Sequence, residues 1–325
     1  WRETLEKSPD YAPAHRLLGV YAWNKQQDAA QALAYLQRAV ELEPENARFL
    51  FELDFLKKSL GTPVNERLET LAARKAVVLK RDDLTAELLS LLNAAGHYAD
   101  AAAILGTRVF HPWEGGEGKV TGQYLLNQLH RALQLIERKA FTQAARCLNE
   151  ALRYPDNLGE GRLPGQTDND IWYLLGYCAE QVGDAHRAAE YYQLALQGGS
   201  TLDAGRYYND QPADYLFWQG IALRKSGNPA QAEQHFQNFI AWARQHRDDV
   251  PQADFFAVSL PDLVVLDVSA QQQHQQHCLF IEALGHLGLG NVSASQQAMQ
   301  RLLQLNPAHD KAHLIRHALQ SGIFS

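Results

Sequence analysis

The stretch WYLLGYCAEQVGDAHRAAEYYQLA, residues 172–195, decides the fold. Trp172, Leu175 and Gly176 precede a turn at Gly183 and Asp184, and Ala188, Tyr192 and Ala195 follow it. Apolar residues spaced three and four apart on both sides of such a turn predict two amphipathic helices folded back on each other. Antiparallel helices approach closely only where small residues sit at the crossing, with large side chains filling the space beside it. Gly176, Ala188 and Ala195 are the small residues here, and Trp172, Leu175 and Tyr192 the fillers.

The unit recurs. Leu18 and Gly19 lead to Ala32, Leu36, Ala39 and Pro44 with one extra residue in the turn. Gly96, Tyr98, Ala101 and Leu105 repeat the turn and second helix, as do Phe141, Ala144, Leu148, Ala151 and Pro155. Gly220, Gly227, Ala232 and Phe236 form another copy, and Ala283, Gly290, Ser295, Met299, Leu302 and Pro307 the last. A unit between Ala47 and Leu79 has the length and period but poor matches at the small positions. W-x2-L-G before the turn and A-x3-aromatic-x2-A after it resemble the tetratricopeptide repeat, whose period is about 34 residues. The resemblance covers most of the chain and implies an all-α, right-handed superhelical solenoid. About seven hairpins are expected, at 12–45, 46–80, 82–112, 119–155, 169–199, 213–247 and 276–308, with a capping helix at 308–319.

Insertions are expected at 111–122, 156–170, 197–212 and 246–270. His111 to Gly122 holds four glycines and is not expected to be helix interior. Residues 254–267, DFFAVSLPDLVVLD, are apolar without a helical period and are expected to lie extended and mostly buried against the helices.

The chain has 325 residues, 46% hydrophobic and 21% charged, a globular composition. A net charge of −7 gives no basic footprint for nucleic acid, and no apolar run is long enough for a membrane helix. Cys147, Cys178 and Cys278 stand apart in predicted helices and read as reduced thiols, hence a cytoplasmic location. An opening at Trp1 and a single Met299 suggest a piece of a longer protein.

In a solenoid of this kind the first helix of each hairpin lines a concave groove that suits peptides and partner helices. By repeat position Tyr173, Tyr177, Glu180, Phe217, Ile221 and Arg224 fall on that face, as partner anchors or as packing for loops that fill the groove. Chaperone-binding members of the superfamily carry a Lys and Asn clamp; Arg16, Val20, Tyr173 and Tyr177 stand at its positions, so no such adaptor is expected. GGEGK fails as a phosphate loop, having Trp113 for Gly and Val120 for Ser or Thr. Trp113, Glu114, Glu117 and Lys119 form a candidate ligand loop, by stacking and carboxylate hydrogen bonds to a sugar, or else a structural turn in which Trp113 plugs the core. Glu114 and Glu117 as an acid–base pair are a further hypothesis. His309, His313 and His317, with His274 and His277, read as solvated-face residues rather than metal ligands. No nucleophile constellation is present, and neither a metal nor a cofactor is expected.

HPWEGGEGKV (111–120) and DFFAVSLPDLVVLD (254–267) resemble the C-terminal repeat region of large bacterial proteins whose N-terminal, mutarotase-like β-sandwich domain has no known function. That resemblance implies a carbohydrate connection. The expected function is a non-catalytic scaffold that docks its own N-terminal domain or a partner protein through the groove. The rivals are an accessory part of a carbohydrate-active protein and, from the apolar 254–267 segment, an oligomerisation module.

Overall fold

The computed structural model describes residues 1–202, 212–250 and 265–324, which are helical with no β-strand among them. The helices are α1 (Arg2–Lys7), α2 (Ala12–Tyr21, continued by a π-turn over Ala22–Gln26), α3 (Ala29–Leu42), α4 (Ala47–Ser59), α5 (Val64–Ala72), α6 (Lys75–Val78), α7 (Asp82–Ala94) and α8 (Tyr98–Thr107). They continue as α9 (Lys119–Glu137), α10 (Phe141–Ala151), α11 (Asn169–Gln181), α12 (Ala185–Leu194), α13 (Ala213–Lys225), α14 (Pro229–His246), α15 (Ala270–Gly288), α16 (Val292–Leu305) and α17 (Asp310–Gln320). The pairs α2/α3, α7/α8, α9/α10, α11/α12, α13/α14 and α15/α16 pack as hairpins; α4 lies between the first two, and from α7 on each leans on the next. The protein is a helical-repeat solenoid.

Local chemistry sets the element ends. Asp28, Asn46, Asp184 and Ser269 accept hydrogen bonds from backbone N–H groups in the first turns of α3, α4, α12 and α15, satisfying donors no intrahelical carbonyl can reach. Hairpin turns pass through left-handed backbone, with Gly96, Gly183, Gly227 and Gly290 at φ of 78–83°. In the α9/α10 turn Lys139 takes that conformation at φ 58°. The extra residue expected in the first turn is taken up by the π-turn, which ends on Gln27 at φ 53°.

The small positions are filled by their neighbours' side chains. A Cβ on Gly176 would lie 2.6 Å from Tyr192 Cε1, and one on Gly19 would lie 2.9 Å from Leu36 Cγ. Phe236, fully buried, is held between Gly220 of α13 and Gly288 of α15, whose added Cβ atoms would fall 2.4 and 2.2 Å from its ring. Gly288→Ala is therefore expected to destabilise the fold by about 1–3 kcal/mol in urea unfolding, as overpacked cores do. Gly106→Ala, with nothing within 4 Å of the added methyl, should be neutral or slightly stabilising. Equal midpoints for the two variants would show that the crossing is not close-packed.

Several boundaries differ from the sequence expectation. α9 starts at Lys119, the expected start of the fourth hairpin, so the insertion ends before 119 and not at 122, and α15 begins at Ala270, six residues before 276. The second helix of the second hairpin is broken into α5 and α6. Residues 251–264, which hold most of the apolar 254–267 segment, lie outside the described residues; of its end, Leu266 is buried and Val265 is 38% exposed. Trp23 and Asn24 donate to the backbone carbonyls of Asp267 (2.9 Å) and Val265 (2.7 Å), so the approach to the last hairpin meets the first.

The largest correction concerns the helix expected as a cap. α17 touches the last hairpin only along part of its length, with His309 beside Phe280 of α15. It packs chiefly on α9 and α7, far back along the chain, and lies against the inner helices. Ala312, His313, Leu314, Ile315 and Ala318 are buried there, and so is Ile323 beyond it. The period of α17 indicates which face is buried but carries no information on what covers it.

Candidate functional site

The groove lined by α7, α9, α11 and α13 is occupied by the chain's own C-terminal segment, α17 and residues 321–324. Its contacts follow one another along the helix. His309 caps the first turn, its Nδ1 accepting the Ala312 N–H at 3.2 Å. Asp310 accepts from Ser90 Oγ of α7 at 2.7 Å and from Gln123 Nε2 of α9 at 2.6 Å. Behind it Asn93 donates to Gln123 at 3.0 Å and Asn127 to Asn93 at 2.9 Å, so the amides of the two inner helices form one ladder.

Lys311 reaches the opposite wall. Its Nζ is 2.8 Å from Asp214 Oδ2 and 4.0 Å from Asp170 Oδ2, and 5.4 Å from the centre of the Tyr215 ring. Both carboxylates belong to the first turns of inner helices, α11 and α13, and both side chains are 2% exposed. Burial pushes the Asp170 carboxyl up to about 6, against the pull of Lys311 and with the help of Asp214. Burial works against the Lys311 charge, and Asp214 and Asp170 more than offset it, so the ammonium is held above its ordinary range. Two buried carboxylates around one ammonium are stable only with the cation in place.

One and a half turns on, three rings stack. Tyr98 lies on His130 with centroids 4.7 Å apart and on His317 at 5.7 Å, and the two imidazoles face each other with Nδ1 atoms 2.8 Å apart. His317 Nε2 is 3.3 Å from Glu137. That orientation fits a neutral pair in which His317 Nε2–H donates to Glu137 and His130 Nδ1–H donates to His317 Nδ1. Burial, then the neighbouring His317, His313 and Lys311, push the His130 imidazole down to about 3. His313 Nε2 bonds the Pro307 carbonyl at 2.7 Å, leaving its Nδ1 to accept from Arg316 at 3.0 Å. These histidines are not on a solvated face, as the sequence suggested. His317 meets α9, His309 lies beside Phe280 of α15 with ring centroids 5.0 Å apart, and His313 is buried between them. Among the described residues no three His, Cys, Asp or Glu side chains converge as a metal ion would require.

The segment ends on the aromatic wall. Tyr173 Oη donates to the Ile323 carbonyl at 3.3 Å, and Phe324 packs edge-on against Phe217 at 5.4 Å and tilted on Trp218 at 5.7 Å. Beside α17 a cleft of about 530 Å³ remains, floored by Leu287, Met299, Leu303, Ile315 and Leu319.

The residues placed on the concave face from sequence thus divide. Tyr173 and Phe217 meet the C-terminal segment, and Ile221 is buried in the same core. Tyr177 is turned edge-on to Phe141 of the preceding hairpin, Glu180 accepts from Tyr192 and Lys225 at 2.5 and 3.0 Å, and Arg224 donates to the Gly288 carbonyl. They do not form one open surface. Sequence reasoning missed Ser90, Gln123, His130, Asp170, Asp214 and Lys311. A usable signal was there: Asp170 and Asp214 are single charges in the apolar first turns of two equivalent helices, in NDIW and ADYL.

The glycine-rich loop is occupied with the fold. Trp113 lies so close to Gly116 that a Cβ there would overlap its ring at 2.0 Å, and the Gly118 N–H donates to Glu160 at 2.9 Å. Gly115 and Gly118 take left-handed φ of 77° and 74°. Glu114 and Lys119 are exposed and Glu117 is half-buried. The three cysteines are unpaired and buried, and burial pushes the thiols up to about 11 for Cys147 and Cys278 and about 12 for Cys178, far from a reactive thiolate.

Models of the tetratricopeptide repeat match residues 1–47, 131–207 and 214–241. Among solved structures the chain is similar to the tetratricopeptide domain of P58(IPK), at 14% identity and a TM-score of 0.32, covering 95% of this chain and 76% of that one. No helix of the described residues is long and apolar enough to cross a membrane.

Proposed function

The chain belongs to the tetratricopeptide-repeat superfamily, and from that premise we propose that it is a non-catalytic scaffold whose inner groove binds a helical segment of a partner protein, or of another domain of its own polypeptide. The observation that supports this reading is the occupant: a helix held along the groove by α7, α9, α11 and α13 through contacts that a separate chain could also make. A preformed groove of this kind limits the entropy lost on association. Three buried, unpaired thiols support a reducing compartment, and hence the cytoplasm, as its place of work. Trp113 is already committed to Gly116, so the sugar-binding alternative gains no support from that loop.

The test uses the full chain and its Lys311→Ala variant, in which the resident helix is weakened, as baits for extracts of the source cells. The variant is expected to capture specific proteins several-fold better than the unaltered chain, and excess free peptide spanning 307–324 should strip them from it. Identical capture by both baits, with the variant still folded, would remove the groove as the binding site.

A further inference from the structure

The two ends of the resident helix are recognised by different chemistry, and the walls that do so are built in. At one wall, Ser90 and Gln123 donate to a carboxylate, and at the facing wall Asp170 and Asp214 accept an ammonium. The carboxylate and the ammonium belong to adjacent residues of the ligand, Asp310 and Lys311, at the first turn of its helix. The aromatic floor of Tyr173, Phe217 and Trp218 lies at the other end, where Ile323 and Phe324 are seated. The polar partners are 220 and 187 residues away from Asp310 in sequence, so the recognition is made by side chains of distant helices and not by the connection to α16. α17 stands to the groove as a ligand does to its receptor.

We propose that the groove selects partner helices by this pattern: an acidic residue followed directly by a lysine in the first turn, and an aromatic residue about four turns on, with the chain's own α17 as the resident competitor. This deepens the reading of the groove as a partner site and rests on it. The selectivity comes from the carboxylate pair. Asp170 and Asp214, 2% exposed, are left as two buried like charges by any ligand that lacks a cation at that turn, and a ligand with a second carboxylate there meets direct repulsion. An apolar helix could fill the aromatic end but would leave the pair unneutralised. A helix with the charges reversed in order would set a carboxylate against Asp214 and an ammonium against the Gln123 and Ser90 donors.

The probe is a fluorescent peptide of residues 307–324, PAHDKAHLIRHALQSGIF, with a second version carrying Lys311→Glu. Both are titrated onto the full chain and onto the full chain with Lys311→Ala. The native probe should bind the variant chain at least tenfold more tightly than the unaltered chain, because the resident helix competes less well. The Lys311→Glu probe should bind the variant at least tenfold more weakly than the native probe. Equal binding of the two probes would overturn the proposal, since the aromatic end alone would then account for recognition. So would failure of the native probe to bind a variant chain that retains its helical signal and cooperative melting. Should Lys311→Ala unfold the chain, the two probes are compared on the unaltered chain at high concentration, and the same tenfold ratio decides. Self-association of the chain that the native probe reverses and the altered one does not would support the proposal with a second copy as the partner. Loss of probe binding while cellular proteins still prefer the Lys311→Ala bait would sink the chemistry assigned here and leave the groove reading standing.

Discussion

Replacing Arg67 by methionine is expected to lower the unfolding free energy by about 3–5 kcal/mol, the cost of breaking a buried ion pair from one side. Arg67 is 1% exposed. Its Nε and Nη2 donate to the two oxygens of Asp54 at 3.0 and 2.7 Å, and Nη2 also to Glu87 at 3.0 Å. Asp54 is equally buried and, among the described residues, pairs with no second cation, whereas Glu87 keeps Lys58 at 2.8 Å. Burial alone would raise the Glu87 carboxyl, yet Lys58 and Arg67 hold it down at about 2, which shows how strongly the cluster depends on its cations. Removing the guanidinium strands the Asp54 carboxylate in the core between α4, α5 and α7. Removing both partners, as in Asp54→Leu with Arg67→Met, replaces charge by apolar volume and should recover at least half of the loss. Urea unfolding of the two variants checks this. A single variant within about 1 kcal/mol of the parent, or a double variant no better than the single, would mean that the pair is not what holds this hairpin.

That ion pair also explains why the second hairpin was nearly illegible. Elsewhere the crossing of two helices is read directly from small residues, as at Gly176 against Tyr192 or Gly220 against Phe236, because only a missing side chain admits the neighbour so closely. Between α4 and α5 the contact is made by Arg67 and Asp54, residue types that the small-residue pattern scores as mismatches. The turns were legible for the same kind of reason: Gly96, Gly183, Gly227 and Gly290 supply left-handed backbone without strain, while Lys139 does the same job unannounced. The groove was legible as a face and not as a site. Repeat position put Tyr173 and Phe217 on the inner helices, but nothing local to residues 310–324 says that they return to Ser90, Gln123 and Asp214. Long-range polar pairing of this kind has no period. Its trace in the sequence is only the presence of single charged or amide residues where an inner helix should be apolar.

Acidification from pH 7 to pH 5 is expected to loosen α17 from the groove and to lower the melting temperature of the chain. The titratable groups facing the His130–His317 contact are Tyr98 from α8, Glu137 from α9, and His313, Arg316 and Lys311 from α17 itself. His130, at about 3, and His309, at about 4, are held neutral in the fold chiefly by burial, and His313 and His317 are shifted down as well. A released imidazole takes up a proton near 6.5, so the unfolded or undocked state binds more protons and stability falls as the pH drops below that value, down to about 3. At pH 5 the cost at His130 alone is about 2 kcal/mol, and His309 adds a comparable amount. Asp170 acts in the opposite sense. Its carboxyl is raised to about 6, so the fold takes up that proton before the released chain does and regains about 1 kcal/mol over the same interval. Burial raises the Asp310 carboxyl as well, which adds to that gain, but the imidazoles outnumber the two carboxyls and the balance is a loss of about 2 kcal/mol. Hydrogen exchange should place the loss first in residues 310–324, ahead of α11 and α13. His130→Phe, which keeps the stack on Tyr98 without the titrating nitrogen, should remove most of the net pH dependence while leaving the chain folded at pH 7. A melting temperature that holds or rises between pH 7 and pH 5, or a His130→Phe variant with an unchanged pH slope, would show that the stacked imidazoles do not couple protonation to the seating of α17.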